Sequence, residues 1–246
     1  MRALIVSDIH SNAAALRAVL ARVRRKRFDT IICLGDFVGY GAQPNQVLDA
    51  MRRLKRTKVF IRGNHDRVVS RNDDATEFNE AARAAVLWTR VHLSGANRRF
   101  IQDLPLGPVE YRSLMLCHGS PFDEDDYVFT IHHAAQVFAN FGANVILYGH
   151  THLPALYSVH ATGRMGALVP KDETRIKLEP GFRYLINPGS VGQPRDRNPA
   201  ASFAIYDSDP ATVQFLRVDY DRAETQGAIL DAGLPPVLAH RLSWGT

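Results

Sequence analysis

Cysteine is scarce in this chain: 2 in 246 residues. Cys33 and Cys117 each lie inside a strand-like apolar run, which makes neither a disulfide framework nor a zinc-finger spacing, so both read as small core residues. Cys117 adjoins His118, but alternation along a strand turns neighbours to opposite faces, so the two are not expected to ligate one ion together. No apolar run approaches the roughly 18 residues of a membrane span. The chain enters a strand at once instead of a signal peptide. The expected address is therefore the cytoplasm, with no membrane partner. Repeats, low-complexity tracts and linker-like stretches are also missing, so a single domain over residues 1–246 is expected. Within it, residues 1–152 alternate strand and helix, and residues 153–246 read as the hairpins of a second sheet followed by a C-terminal helix.

The composition, 46% hydrophobic and 22% charged, is ordinary for a globular chain. The net charge of +5 favours an anionic partner in a general way. Two basic groups, Arg22 to Arg27 and Arg52 to Lys58, fall near predicted helix ends, where cations complement the helix dipole. No aromatic-basic strand module accompanies them, so nucleic acid is not the favoured partner.

Five short polar pieces carry the chemistry. They are Asp8-Ile9-His10, Gly35-Asp36, Gly63-Asn64-His65-Asp66, Cys117-His118-Gly119 and Gly149-His150-Thr151-His152. Each directly follows a short run rich in Ile, Val and Leu: Ala3 to Val6, Ile31 to Leu34, Val59 to Ile61, Leu114 to Cys117 and Val145 to Tyr148. Such runs read as strands buried on both faces. In open α/β sheets a ligand sits beyond the carboxyl ends of the strands, where all five pieces fall. Helices are expected at Asn12 to Arg27 (capped by Ser11 or Asn12), Pro44 to Arg56, Ala75 to Leu93, Ser94 to Asp103 and His132 to Phe141. After His152, six strand-like stretches follow, separated by Gly, Pro, Asp and Asn.

Asp8, His10, Asp36, Asn64, His118, His150 and His152 offer oxygen and imidazole nitrogen but no thiolate. That mix suits manganese, with iron, zinc, cobalt or nickel as alternatives, better than calcium or an all-oxygen magnesium site. Seven ligands exceed what one ion takes while leaving room for substrate. Two divalent ions sharing a carboxylate, roughly 3.5 to 4 Å apart, resolve this and favour hydrolysis of a phosphoester by a metal-bridging hydroxide.

In this combination and order the pieces resemble the calcineurin-like metallophosphoesterase superfamily, whose pattern is D-x-H, G-D, G-N-H-[DE], an isolated H and G-H-x-H. The segment Gly35 to Gly41 and the turn Asn187-Pro188-Gly189-Ser190 are similar to its compact bacterial and archaeal phosphodiesterase branch. The resemblance implies an α/β fold of four layers, α/β/β/α, with two mixed β-sheets packed as a sandwich and flanked by helices. It implies that Asp8, His10 and His152 hold one metal, that Asn64, His118 and His150 hold the second, and that Asp36 bridges them. His65 would stand beside the leaving-group oxygen as general acid or charge stabiliser, with Asp66 orienting its ring. The expected substrate is a small or nucleotide-like phosphoester. A phosphomonoesterase or dinucleoside polyphosphate hydrolase is the nearest rival, and a non-catalytic binding protein retaining the fold is the rival of another class, though no motif residue is lost here. Many superfamily phosphatases carry Asp-Arg where this chain has Gly39-Tyr40. Arg62, Arg195 and Arg197 are the candidates to complete the anion site, and Thr162 to Gly181 is expected to overhang one side of it.

Overall fold

The computed structural model describes residues 1–71 and 73–246. The first half runs β1 (Arg2–Val6), α1 (Ala13–Val23), β2 (Thr30–Cys33), α2 (Pro44–Arg53), β3 (Thr57–Phe60), α3 (Asn64–Arg71), α4 (Glu80–His92) and α5 (Gly95–Gln102). Next come β4 (Val109–Tyr111), β5 (Leu114–Leu116), α6 (Ile131–Asn140) and β6 (Val145–Leu147). The remainder is β7 (Pro154–His160), β8 (Met165–Leu168), β9 (Arg175–Lys177), β10 (Phe182–Pro188), β11 (Ala201–Asp207), β12 (Thr212–Val218), α7 (Arg222–Asp231) and α8 (Pro236–Trp244).

These strands form two six-stranded mixed sheets, ordered β3-β2-β1-β11-β12-β9 and β4-β5-β6-β10-β7-β8. The period of two along a strand explains the layering. Leu4 and Val6 of β1 pack with Leu16 and Val19 of α1, while Ala3 and Ile5 face the other sheet and meet Leu116, Leu147 and Ile186. On the far side Ile146 and Leu185 pack against Ala134, Val137 and Phe138 of α6. Both faces of β1, β2 and β6 are thus buried, which is why these strands read as unbroken apolar runs and not as alternating ones. The four-layer sandwich expected from the sequence is present.

The division of the chain at residue 152 is corrected. The second half does not build the second sheet. Each sheet takes three strands from before residue 152 and three from after it, because β11 pairs with β1 and β10 with β6. Two helices, not one, close the chain. Helix α1 is capped by Asn12, whose side chain accepts from the Ala15 amide, and α4 begins only after Asn79, which caps it in the same way. Nor does Thr162 to Gly181 overhang the site. It holds the edge strands β8 and β9, and none of its residues lines the cavity described below. Among the described residues no helix is long and apolar enough to cross a membrane.

Candidate metal centre

The strands β1, β2 and β3 run parallel, as do β5, β6 and β10. All five motif pieces therefore emerge at strand carboxyl ends. The two sheets are laced together there: Ser190 Oγ donates to the Asp8 carbonyl, the Val191 amide to the Ser7 carbonyl, and His118 Nδ1 to the Leu34 carbonyl, while within the second sheet the Gly149 amide donates to the His118 carbonyl. Asn187 braces the last loop, its Nδ2 donating to the Gly149 carbonyl and to Thr151 Oγ1. The Asn187 to Ser190 turn supports the site from behind.

The loops turn sharply. Asp8, His10, Asp36, His150 and His152 all have φ between 48° and 64°, the left-handed region that costs an L-residue about 1 kcal/mol or more. Five strained non-glycine residues in one cluster indicate a backbone held by its surroundings to aim side chains inward. Close packing does the holding. A Cβ on Gly63 would lie 2.2 Å from Asp36 Oδ1, and one on Gly149 would lie 2.1 Å from Ser7 Oγ, so the glycines beside the polar residues have a steric cause.

All seven predicted ligands are buried and meet at this end of the sandwich. Asp8, His10 and His152 bring one donor atom each within 4.8 Å of one another, and so do Asp36, His118 and His150. Asp36 Oδ2 faces both sets, 3.5 Å from His10 Nε2 and 3.4 Å from His118 Nε2. His10, His118 and His152 each point Nδ1 at a backbone carbonyl, of Val38, Leu34 and Gln193 respectively. A carbonyl only accepts, so Nδ1 carries the hydrogen and Nε2 is turned to the centre. Asp8 Oδ1, Asp36 Oδ2, Asn64 Oδ1, His118 Nε2 and His150 Nε2 are buried with no hydrogen-bond partner. Unpaired buried polar atoms are costly, and their convergence fits a donor set built for cations.

The electrostatics agree with that donor set. Burial pushes the His150 imidazole down to about 3 and holds His10 and His152 well below their ordinary range. These rings are therefore neutral with lone pairs available at neutral pH. Burial also raises Asp8 to about 7. Burial would raise Asp36 too, but the charge of His118, joined by those of His65 and His10 only at acid pH where they protonate, outweighs it and holds the carboxyl well below the carboxylate range. Burial opposes charge on His118, yet Asp36 raises that imidazole to about 10, so in the absence of ions a proton on His118 balances Asp36.

His65 lies between Tyr40 and Phe78, ring centres 4.6 Å from each, and 4.8 Å from His10. Asp66 does not orient it. The Asp66 carboxylate instead accepts from three backbone amides, Phe37 and Val38 on Oδ1 and Gly63 on Oδ2. Asp66 is the third residue of α3 and Gly63 precedes the helix, so the side chain reaches back to cap its start. This ties the Asp36 loop to the Asn64 loop. Helix α3 is not among the helices expected from the sequence; its signal is an acidic residue, Asp66, in the first turn.

A cavity of about 500 Å³ opens above the cluster, lined by Asp36, Asn64, His65, His150 and His152 and walled by Tyr40, Phe78, Tyr127, Arg67 and Arg195. Tyr127 sits over His150 at 4.1 Å and lies nearly parallel to Phe129, 5.0 Å away. Sequence reasoning missed these aromatic walls because they come from irregular segments with no periodic pattern. Of the three candidate arginines only Arg195 reaches the cavity. Arg197 is exposed.

Arg62 is buried and spent on Glu124, with Nε–Oε2 at 3.0 Å and Nη2–Oε1 at 2.9 Å. Arg67 Nη1 joins at 3.0 Å from the same carboxylate, clamping α3 to the loop that carries Tyr127. Arg62→Ala is expected to destabilise the fold by about 3 kcal/mol, the low end for breaking a buried pair because Arg67 still partners Glu124. That corresponds to a melting point lower by roughly 6–12 °C in a chain of this size. A calorimetric melt within a degree or two of wild type would show that the pair contributes no net stability.

A model of the calcineurin-like phosphoesterase superfamily domain matches residues 1–210. A metallophosphoesterase from Sphaerobacter thermophilus has a crystal structure that superposes with a TM-score of 0.87 at 37% identity, covering 100% of this chain and 99% of that one. An uncharacterized protein of Methanocaldococcus jannaschii is 34% identical over 244 residues, 98% of this chain and 97% of its own. The phosphodiesterase YfcE of Escherichia coli is 24% identical over 221 residues, 87% of this chain and 91% of its own.

Proposed function

Because this chain belongs to the calcineurin-like phosphoesterase superfamily, we propose that it is a binuclear metal-dependent phosphodiesterase acting on small or nucleotide-like phosphoesters. The observation that carries this reading is the set of buried, partnerless oxygen and nitrogen atoms converging beneath one cavity. Asp8, His10 and His152 would hold one ion, Asn64, His118 and His150 the other, and Asp36 would be shared between them. Divalent ions bound there supply Lewis acidity, lowering the pKa of water and neutralising charge at phosphorus. Manganese suits a nitrogen and oxygen set without thiolate.

The protein's own groups do the rest. Burial lowers His65 to about 4, so at neutral pH its ring is uncharged and offers an N–H to the leaving-group oxygen instead of a stored positive charge. Tyr127 and Phe78 give the leaving group apolar walls and narrow the access of bulk water. The cavity volume is within the roughly 300–1,000 Å³ that small-molecule sites occupy. The name of the Escherichia coli relative supports the diester preference.

The test is hydrolysis of a chromogenic diester and the matching monoester by metal-stripped protein refilled with manganese. Manganese-dependent diester cleavage faster than monoester cleavage is expected. Faster monoester cleavage would replace this reading with a phosphomonoesterase using the same centre. Two bound ions with no turnover of either ester, or of a dinucleoside polyphosphate, would favour the binding-protein reading.

A further inference from the structure

Two arginines wall the cavity, and their surroundings differ. Arg67 has carboxylates on several sides: Glu124 at 3.0 Å, Asp125 at 2.7 Å and Asp73 at 3.6 Å. Its charge is neutralised within the protein. Arg195 has only neutral partners. Its Nη2 donates to Tyr40 Oη and to Gln193 Oε1, both at 3.1 Å, and its guanidinium carbon stands 5.6 Å from the centre of the Tyr40 ring. Its Nε is buried with no partner. Arg241 Nη1 also approaches Gln193 Oε1, at 3.4 Å, which adds a second positive charge behind the first.

Tyr40 is the shelf that aims this group. Its backbone is left-handed at φ 54°, and its ring packs edge-on against His10 at 4.6 Å and beside His65 at 4.6 Å. A guanidinium lying on that ring is therefore one ring away from the donor cluster and from the proposed leaving-group side.

We propose that Arg195, seated on the Tyr40 ring, is the phosphate anchor of this site, its fork taking a non-bridging oxygen of the substrate while the leaving group extends toward Tyr127. This deepens the phosphoesterase reading and rests on it. A planar guanidinium with free donors suits a tetrahedral oxyanion. Held on an aromatic face by neutral partners, it loses no ion pair when the anion arrives.

Inorganic phosphate titrated calorimetrically into the manganese-loaded protein provides the test. Arg195→Ala is expected to weaken phosphate binding by about 10- to 100-fold, the range of one charge-assisted contact, with two ions retained and a raised KM for the chromogenic diester. Arg197→Ala, two residues away and exposed, should bind phosphate as wild type does. Arg195→Gln keeps length and hydrogen bonding but drops the charge, and it carries the test should the alanine variant lose its fold. Wild-type phosphate affinity in either folded variant, or no phosphate binding by the wild-type protein, would overturn the proposal. Arg195-dependent phosphate binding without hydrolysis of any ester would leave the anchor standing and sink the enzymatic reading. Hydrolysis with Arg195-independent binding would do the reverse.

Discussion

Asp36→Asn should lower phosphoester hydrolysis by about 10³-fold, the upper end for one preorganised electrostatic group, and should leave fewer than two ions per chain. The reason is the position of its carboxylate between the two donor sets, 3.5 Å from His10 Nε2 and 3.4 Å from His118 Nε2. Asparagine is the informative replacement because Asp36 Oδ1 also accepts from the His65 amide at 2.9 Å, and an amide oxygen preserves that bond. What is lost is the charge that two cations would share. Elemental analysis of the purified variant beside its rate separates the outcomes: two retained ions with near-normal turnover would mean that Asp36 is not the shared ligand.

His65→Ala should slow diester cleavage by about 10²- to 10³-fold, the usual cost of removing one preorganised hydrogen-bond donor aimed at developing charge, while both ions stay bound. The loss should be greater for an alkyl leaving group than for a nitrophenolate, whose ring delocalises the departing charge and needs less of that hydrogen bond. This pattern is specific. His65 also brings a donor atom within 4.8 Å of His10 and Asp36, so a rival assignment makes it a metal ligand. Loss of an ion from His65→Ala, with equal slowing for good and poor leaving groups, would favour that assignment.

The donor inventory was legible in the sequence for a physical reason. Strands buried on both faces, as β1, β2 and β6 are, must be apolar throughout, so polar residues can appear only where such strands end; β3, exposed over its first half, and β5 turn apolar only in the residues that lead into their motifs, and the five interruptions still mark five strand ends. Asn12, Asn79 and Ser94 accept from the amides that follow them because short polar side chains can reach only that far, and caps of this kind are local.

Other features had no local signal. Asp66 follows His65 directly, and the family resemblance implied that it orients the imidazole. In the fold it turns away to three backbone amides, that of Gly63 just before its own helix and two contributed from 28 and 29 residues earlier. Arg62, Arg195 and Arg197 were equivalent by their nearness to motifs. Their surroundings separate them: a buried carboxylate for the first, an aromatic shelf and neutral partners for the second, solvent for the third.

By itself the sequence determined which atoms are available and at which strand ends they sit, because buried strands and short caps are set by neighbours along the chain. Only the tertiary structure decided which strands share a sheet, which arginine keeps its charge free, and which side chains wall the cavity. Those depend on pairings such as Tyr40 with Arg195, 155 residues apart, and no periodicity along the chain records what a residue meets at that separation.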